Sequence, residues 1–299
     1  MPAAFLGHGN PMNALETNGY TEAWRTFGAA VAKPRAIVCV SAHWYVNAVA
    51  VTAMDRPRTI HDFYGFPDEL FAVEYPAPGS PEVAELVAEV AKPHWVGQDH
   101  DSWGLDHGTW SVLVHAFPDA NVPVIQLSIN AEKSIDEHLD LAAALAPLRE
   151  QGVLVLGSGN IVHNLRMVDF RLGDEGFDWA HRFDDAVREV LTSDPASVGR
   201  LVDHPDFARA VPTPDHFLPM LYLAGLAAAA DEPAEVLIDG YVAGSLSMTS
   251  YGIGLGHPVG RGGPAGAATA TATATATASA GLASEFPDPT QVAPEDTNL

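Results

Sequence analysis

Three apolar runs in the sequence, AAFLG, AIVCV and VLVLG, each lead within a few residues to a histidine: His8, His43 and His163. A neutral imidazole offers a nitrogen lone pair to a metal and titrates near neutral pH, so histidines gathered in one place suit metal binding or proton transfer. Three such ligands leave coordination positions open for substrate or water, as catalytic metal sites require. The glycines of GHG around His8 allow the backbone to turn sharply and approach a ligand closely. His8 and His43 are therefore candidate ligands. His107, in DHGTW, and His216, in PTPDHFLPM, lie in loop-like stretches that precede helix-like ones and are candidates to join them. For His163, His107 and His216, spacing alone leaves functional and structural roles equally open. His61, in TIHDFYGFP, either lines the same crevice with Asp62 or fixes its own loop. His94, His100, His115, His138, His181 and His204 lack a strand end or a glycine turn, which points to solvated or capping roles.

Histidines this far apart in sequence can meet only if the fold collects strand ends. Strand-like and helix-like segments alternate along the chain, the pattern of an α/β domain with a central, mostly parallel sheet flanked by helices. Strands are expected at Ala3 to Gly7, Arg35 to Ser41, Ala48 to Ala53, Val122 to Ile129, Val153 to Gly157 and Glu235 to Ile238. Helical spacing marks Pro81 to Ala91, Ser134 to Glu150, Asp178 to Leu191 and Phe217 to Ala230, the second opening with a serine cap and acidic residues. Ligands of such sheets bind beyond the carboxyl ends of the strands, where His8 and His43 stand and which His163 follows after GSGN. Two long aromatic loops, DRPRTIHDFYGFPDELFAVEYPAPGSP and VGQDHDSWGLDHGTW, have the length of functional loops.

With 299 residues, 47% hydrophobic and 18% charged, the chain can bury a full core as one domain spanning 1–257. Residues 258–299, an Ala-Thr repeat with a Pro-rich acidic end, read as a disordered tail. A net charge of −23 lacks the basic partners for nucleic-acid phosphates and opposes docking on an anionic membrane. The apolar run from Phe217 to Ala230 is shorter than the roughly 20 residues of a membrane span. No basic region precedes the first apolar run, so no signal peptide is expected and the cytoplasm is the default location. Cys39, the single cysteine, reads as a core residue. Phosphate-loop and dinucleotide fingerprints are absent, and GSGN lacks the full nucleophile elbow, leaving Ser158 a turn residue that positions Asn160 and His163.

The ordered set FLGHGNPMN, VSAHW, TIHDFYGFP, YPAPGSP, DHGTWSVL, QLSI, GSGNIVHNL and PTPDHFLPML resembles the 4,5-DOPA extradiol dioxygenase family of the class III extradiol ring-cleaving superfamily, from about Pro2 to Gly254. The resemblance implies an α/β fold and one divalent metal on His8, His43 and His216, with His163 as acid/base or additional ligand and His107 in the substrate pocket. Much of the wider superfamily has a carboxylate as third ligand, as in non-haem Fe(II) oxygenases. Here His216 takes that place, with Asp215 as an alternative oxygen ligand or a helix cap.

The activity implied is cleavage of a catechol such as L-DOPA with O2 to a muconic semialdehyde of the seco-DOPA type. Fe(II) is the metal expected for activity, with Zn(II) able to occupy the same site. His163 would accept and return a substrate proton, while His107, with His61, would hydrogen-bond the substrate or oxygen. Phe63, Tyr64, Phe66 and Trp110 either pack against the ring or belong to the core. Two other functions fit the same residues: a zinc-dependent hydrolase, and a non-enzymatic binding or signalling member of the superfamily. The expected partners are small molecules, a catechol and O2; the sequence does not fix the oligomeric state.

Overall fold

The computed structural model of the chain describes residues 1–255. Ten strands form in it: β1 (Ala3–Gly7), β2 (Ala36–Val46), β3 (Ala50–Thr52), β4 (Gly97–Asp99), β5 (Val124–Asn130), β6 (Val153–Gly159), β7 (Glu235–Ile238), β8 (Tyr241–Val242), β9 (Leu246–Ser247) and β10 (Ser250–Ile253). Between them lie α1 (Gly19–Ala30), α2 (Asp68–Phe71), α3 (Pro81–Val90), α4 (His107–Ala116), α5 (Ile135–Ala144), α6 (Pro147–Glu150), α7 (Asp178–Ser193), α8 (Phe207–Ala210) and α9 (Leu218–Ala230). Eight strands build one sheet in the order β4-β3-β5-β2-β6-β1-β10-β7. Its centre, β5-β2-β6-β1, is parallel, and β10 and β7 add to it antiparallel.

The central strands are apolar on both faces because both faces are covered, as parallel sheets require. Phe5, Val38, Val40, Val153 and Val155 face a layer holding α3, α5, α7 and α9. Their neighbours Leu6, Ile37, Cys39, Leu154 and Leu156 face α1 and α4 on the other side. Helix α9 is apolar around its circumference and buried from Leu218 to Ala227, so it serves as an internal helix with no solvent face over most of its length. Among the described residues no helix is long and apolar enough to cross a membrane.

Several elements depart from the sequence expectation. The helix expected over Ser134 to Glu150 is two, α5 and α6, because Pro147 cannot continue the ladder of α5 and starts the next turn instead. Strand β2 runs past Ser41 to Val46, with its register against β5 shifting between Val40 and Tyr45. His43 therefore sits in an irregular stretch inside a strand and not at a strand end. The Gly- and Ser-containing stretch YVAGSLSMTSYGIG, where no strand is expected from sequence, supplies β10, which pairs with β1. The tail expected over 258–299, and His257, lie outside the described residues.

Behind the sheet ends, α7 buries Asp184, whose carboxylate accepts hydrogen bonds from Tyr241 (3.1 Å), Ser247 (3.1 Å) and Thr249 (2.8 Å). Burial outweighs these donors and nearby Arg188 and raises its pKa to about 6, against an ordinary 3.8. A raised pKa means that the fold favours the protonated acid. Its contribution to stability is present below about pH 4 and is lost as pH rises through about 6. Asp184→Asn, neutral throughout, should gain thermal stability relative to wild type as pH rises from about 4 to about 6 and hold that gain above it; Tm-against-pH curves that stay parallel from about pH 4 to 6 would contradict this.

Candidate metal centre and active site

Parallel pairing aligns Gly7 of β1 with Gly159 of β6, so the two strands stop together and deliver His8 and Asn160 to one edge. The His8 N–H donates to Gly159 O at 3.1 Å, and Gly9 turns the chain at φ +63°, a conformation that only glycine adopts without strain. Asn160 ties the neighbouring segments together. Its side chain accepts from Gly9 N–H (3.2 Å) and donates to Ser247 O (2.7 Å), while its own N–H donates to His216 O (2.9 Å). Helix α4 delivers His107 as its first residue, capped by Asp106. Gly108 lets that helix approach β2, since a Cβ there would lie 2.5 Å from Ser41 Oγ and 2.9 Å from His43 Cδ2.

Five imidazoles meet at this edge. The ring centroids of His8, His43 and His216 form a near-equilateral triangle: 5.2 Å (His8 to His43), 5.2 Å (His8 to His216) and 5.0 Å (His43 to His216), with mutual tilts of 44° to 89°. His107 packs 3.9 Å from His43 and 5.9 Å from His8. His163 stacks on His216 at 3.5 Å with the rings nearly parallel. His8, His43 and His107 each offer a ring nitrogen, and these atoms lie within 4.8 Å of one another.

Outer contacts determine which nitrogens are available. Ser158 donates its hydroxyl hydrogen to Gly108 O (2.5 Å), so toward His8 Nδ1, at 2.9 Å, it can only accept. Nδ1 then carries the hydrogen and Nε2 the lone pair. His43 Nδ1 stands 3.2 Å from Asp62 Oδ2, and His216 Nδ1 bonds to Asp215 Oδ2, with the same result in each ring. Each imidazole of the triangle thus has its Nδ1 held by an oxygen and its Nε2 free, the outer-shell arrangement of metal-binding histidines. The two free Nε2 atoms of His8 and His43 face each other at 3.4 Å. Two lone pairs at that distance have no proton to share, and a cation is the group that accepts both. Burial and the neighbouring imidazoles hold His8, and burial and His107 hold His43, well below the ordinary histidine pKa, so both rings stay neutral.

His107 differs from them. Burial depresses it, but the Asp62 carboxylate 3.0 Å from its Nδ1 more than offsets this and raises its pKa. Asp62 itself is held well below the usual carboxylate range, because His107 and His43 outweigh its burial. The Asp106 cap is also buried, accepting from Ser41 (2.7 Å), Thr109 N–H (3.2 Å) and Gln126. Burial and then Asp62 push it up to about 6.

His8, His43, His107, His163 and His216 are therefore brought together, as the sequence suggested. His61 is not among them: its Nε2 bonds to Val73 O at 2.9 Å, and its ring packs on Phe63, Phe71 and Trp110. Trp110 is a core residue, fully buried and bonded to Ile60 O. Phe63 is only partly buried and meets His107 edge-on at 5.5 Å. Asp215 does not cap α9, whose start has no side-chain cap. The solvated role expected for His115 and His138 is overturned: both are buried, His115 bonded to Asn13 O (2.7 Å) and His138 facing Tyr222. Asp62 as a partner of two histidines and Ser158 as the partner of His8 were not legible in sequence; the acid beside His61 and the serine in GSGN were their only marks.

Residues 5–254 match the family described as the catalytic LigB subunit of aromatic ring-opening dioxygenase. The chain is 45% identical over 258 residues to the 4,5-DOPA dioxygenase extradiol of Escherichia coli (strain K12), covering 85% of this chain and 95% of that protein. It is 35% identical over 257 residues to the enzyme of the same name from Beta vulgaris, covering 83% and 94%. The crystal structure of an uncharacterized protein from Escherichia coli K12 superposes with a TM-score of 0.74 at 41% identity, over 85% of this chain and all of that one. With the histidine edge, the fold and these likenesses in agreement, the chain belongs to the 4,5-DOPA extradiol dioxygenase family, within the LigB-type aromatic ring-opening dioxygenases.

Proposed function

We propose that this enzyme is a metal-dependent extradiol dioxygenase that opens a catechol such as L-DOPA with O2 to a muconic semialdehyde of the seco-DOPA type. The observation that carries the reading is the triangle of His8, His43 and His216, each with Nδ1 held by an oxygen and Nε2 left free. These residues would hold one divalent metal. Fe(II) supplies the redox chemistry that dioxygen requires, whereas Zn(II) suits the same imidazoles but has none. The names of the Escherichia coli and Beta vulgaris relatives support the substrate class.

The remaining residues supply proton transfer and orientation. His163, stacked on His216, has no hydrogen-bond partner for its ring among the described residues, and burial and His216 keep it neutral. It accepts the proton that a catechol hydroxyl must lose and returns it after ring opening. His107, its pKa raised by Asp62, carries a proton toward the same space. Phe63, edge-on to His107, offers an apolar wall for the aromatic ring. His61 holds the loop that carries Phe63 by its bond to Val73 O. The chain's partners are then a small catechol and O2, and we place it in the cytoplasm, where a lone buried thiol such as Cys39 is stable.

Metal-stripped protein reconstituted anaerobically with Fe(II) or Zn(II), then mixed with oxygenated L-DOPA, tests the reading. Oxygen uptake and a yellow product are expected with Fe(II) alone. Turnover by the zinc form, or silence of the iron form across a panel of catechols, would contradict it.

A further inference from the structure

We propose that Asp62 is a positioning residue shared by His43 and His107, through which retention of the metal and orientation of the His107 ring depend on one carboxylate. The inference rests on the ligand and acid roles proposed above. Asp62 is carried by the long loop between β3 and α2, and its side chain is 2% exposed. A carboxylate in such a place needs compensating charge or donors, because burying an unpaired ion is costly. Among the described residues no lysine or arginine pairs with it. Its compensation comes from two histidines. Oδ1 accepts the backbone N–H of His107 at 2.9 Å, while Oδ2 stands 3.2 Å from Nδ1 of His43 and 3.0 Å from Nδ1 of His107.

One oxygen therefore serves two rings. A hydrogen on His43 Nδ1 would face that carboxylate at 3.2 Å, leaving Nε2, 3.4 Å from His8 Nε2, as the lone pair that could hold a metal. The same oxygen attracts Nδ1–H of His107, so the opposite nitrogen of that ring is the one turned away from Asp62. The rings pack at 3.9 Å, and the carboxylate closes them from behind. His107 Nδ1 has no partner in hydrogen-bond geometry, so its hold on Asp62 is that of a charge pair at 3.0 Å. Removing the carboxylate releases both rings at once, unlike loss of Ser158 or Asp215, each of which holds a single ring.

The test compares Asp62→Asn, His107→Gln and the double variant with wild type. Fe(II) affinity is read anaerobically by competition with a colorimetric chelator, and kcat and KM for L-DOPA are read at saturating iron. Asp62→Asn should lose about 10- to 100-fold in iron affinity, the usual effect of removing an outer-shell partner. His107→Gln should stay within about 2-fold of wild type in affinity. At saturating iron both single variants should lose kcat, and the double variant should be no slower than His107→Gln, since Asp62 then acts on turnover only through His107. Wild-type iron affinity in Asp62→Asn, or a double variant slowed by the product of the two single losses, overturns the assignment. Should Asp62→Asn fail to fold, Asp62→Glu serves: its longer side chain displaces the carboxylate from both rings, and wild-type affinity there would equally overturn it. Wild-type protein that binds no iron or leaves L-DOPA intact would instead refute the function on which the assignment rests.

Discussion

Replacing His216 with alanine should abolish ring opening by removing the metal. His216 completes the triangle whose sides are 5.2, 5.2 and 5.0 Å, and its Nδ1 is already committed to Asp215. Loss of a ligand should weaken metal binding by more than the roughly 10- to 100-fold that loss of an outer-shell partner costs. At ordinary metal concentrations the variant should be isolated metal-free, with oxygen uptake at background. His8→Ala and His43→Ala should behave alike. By distance between donor atoms the set that meets within 4.8 Å is His8, His43 and His107, so His107 competes with His216 for the third ligand position. The two sets are separated by one pair of variants: the assignment made here requires that His216→Ala lose the metal and His107→Ala keep it. The reverse outcome would put the metal on His107.

His163→Ala has a different signature. It should retain iron and lose kcat by roughly 10²- to 10⁴-fold, the usual worth of a positioned acid/base. The physical reason is the contrast between His163 and the triangle. Each triangle ring has its Nδ1 fixed by Ser158, Asp62 or Asp215, whereas the His163 ring is held by its stack on His216 and by its backbone N–H on Ala210 O at 2.9 Å. A ring without a fixed tautomer can take up and release a proton at either nitrogen; a ligand benefits from the opposite. Iron content and the rate of a single turnover, measured on the same sample, check this. A wild-type rate would exclude the proton role, and loss of iron would make His163 a ligand.

Sequence reading recovered the strands that carry the site because those strands are buried on both faces and read as unbroken apolar runs. β1 agrees residue for residue and β6 differs only in extending through Ser158 to Gly159; the half-exposed edge strand β7, which carries no site residue, also agrees. Helix α1 was not legible: its buried residues Tyr20, Thr21, Ala23, Trp24 and Phe27 are interspersed with glycine, threonine and exposed alanine, which blurs the periodicity. His107 was read as a loop residue because helix α4 buries polar residues such as Thr109, Ser111 and His115 along with its apolar ones, so no alternation of polar and apolar faces announces a period. The histidines themselves were legible as residue types beside strand ends and glycine turns. Their outer partners were not, since Asp62, Ser158 and Asp215 gain their roles only from contacts across the chain, such as the 150 residues between Ser158 and His8. His115 and His138 misled for the converse reason: a histidine on a helix carries no local mark of whether tertiary packing will bury it.

The central claim, extradiol opening of a catechol, is tested most directly by the identity of the product. Iron-loaded protein should convert L-DOPA, with one O2 consumed per ring, to a product containing the substrate plus both oxygen atoms before any water is lost on cyclisation. Its proton spectrum should show a new aldehyde hydrogen and its carbon spectrum a new carboxylate. A dicarboxylic acid would mean cleavage between the hydroxyls, and a quinone would mean oxidation without ring opening; either would contradict the function proposed here.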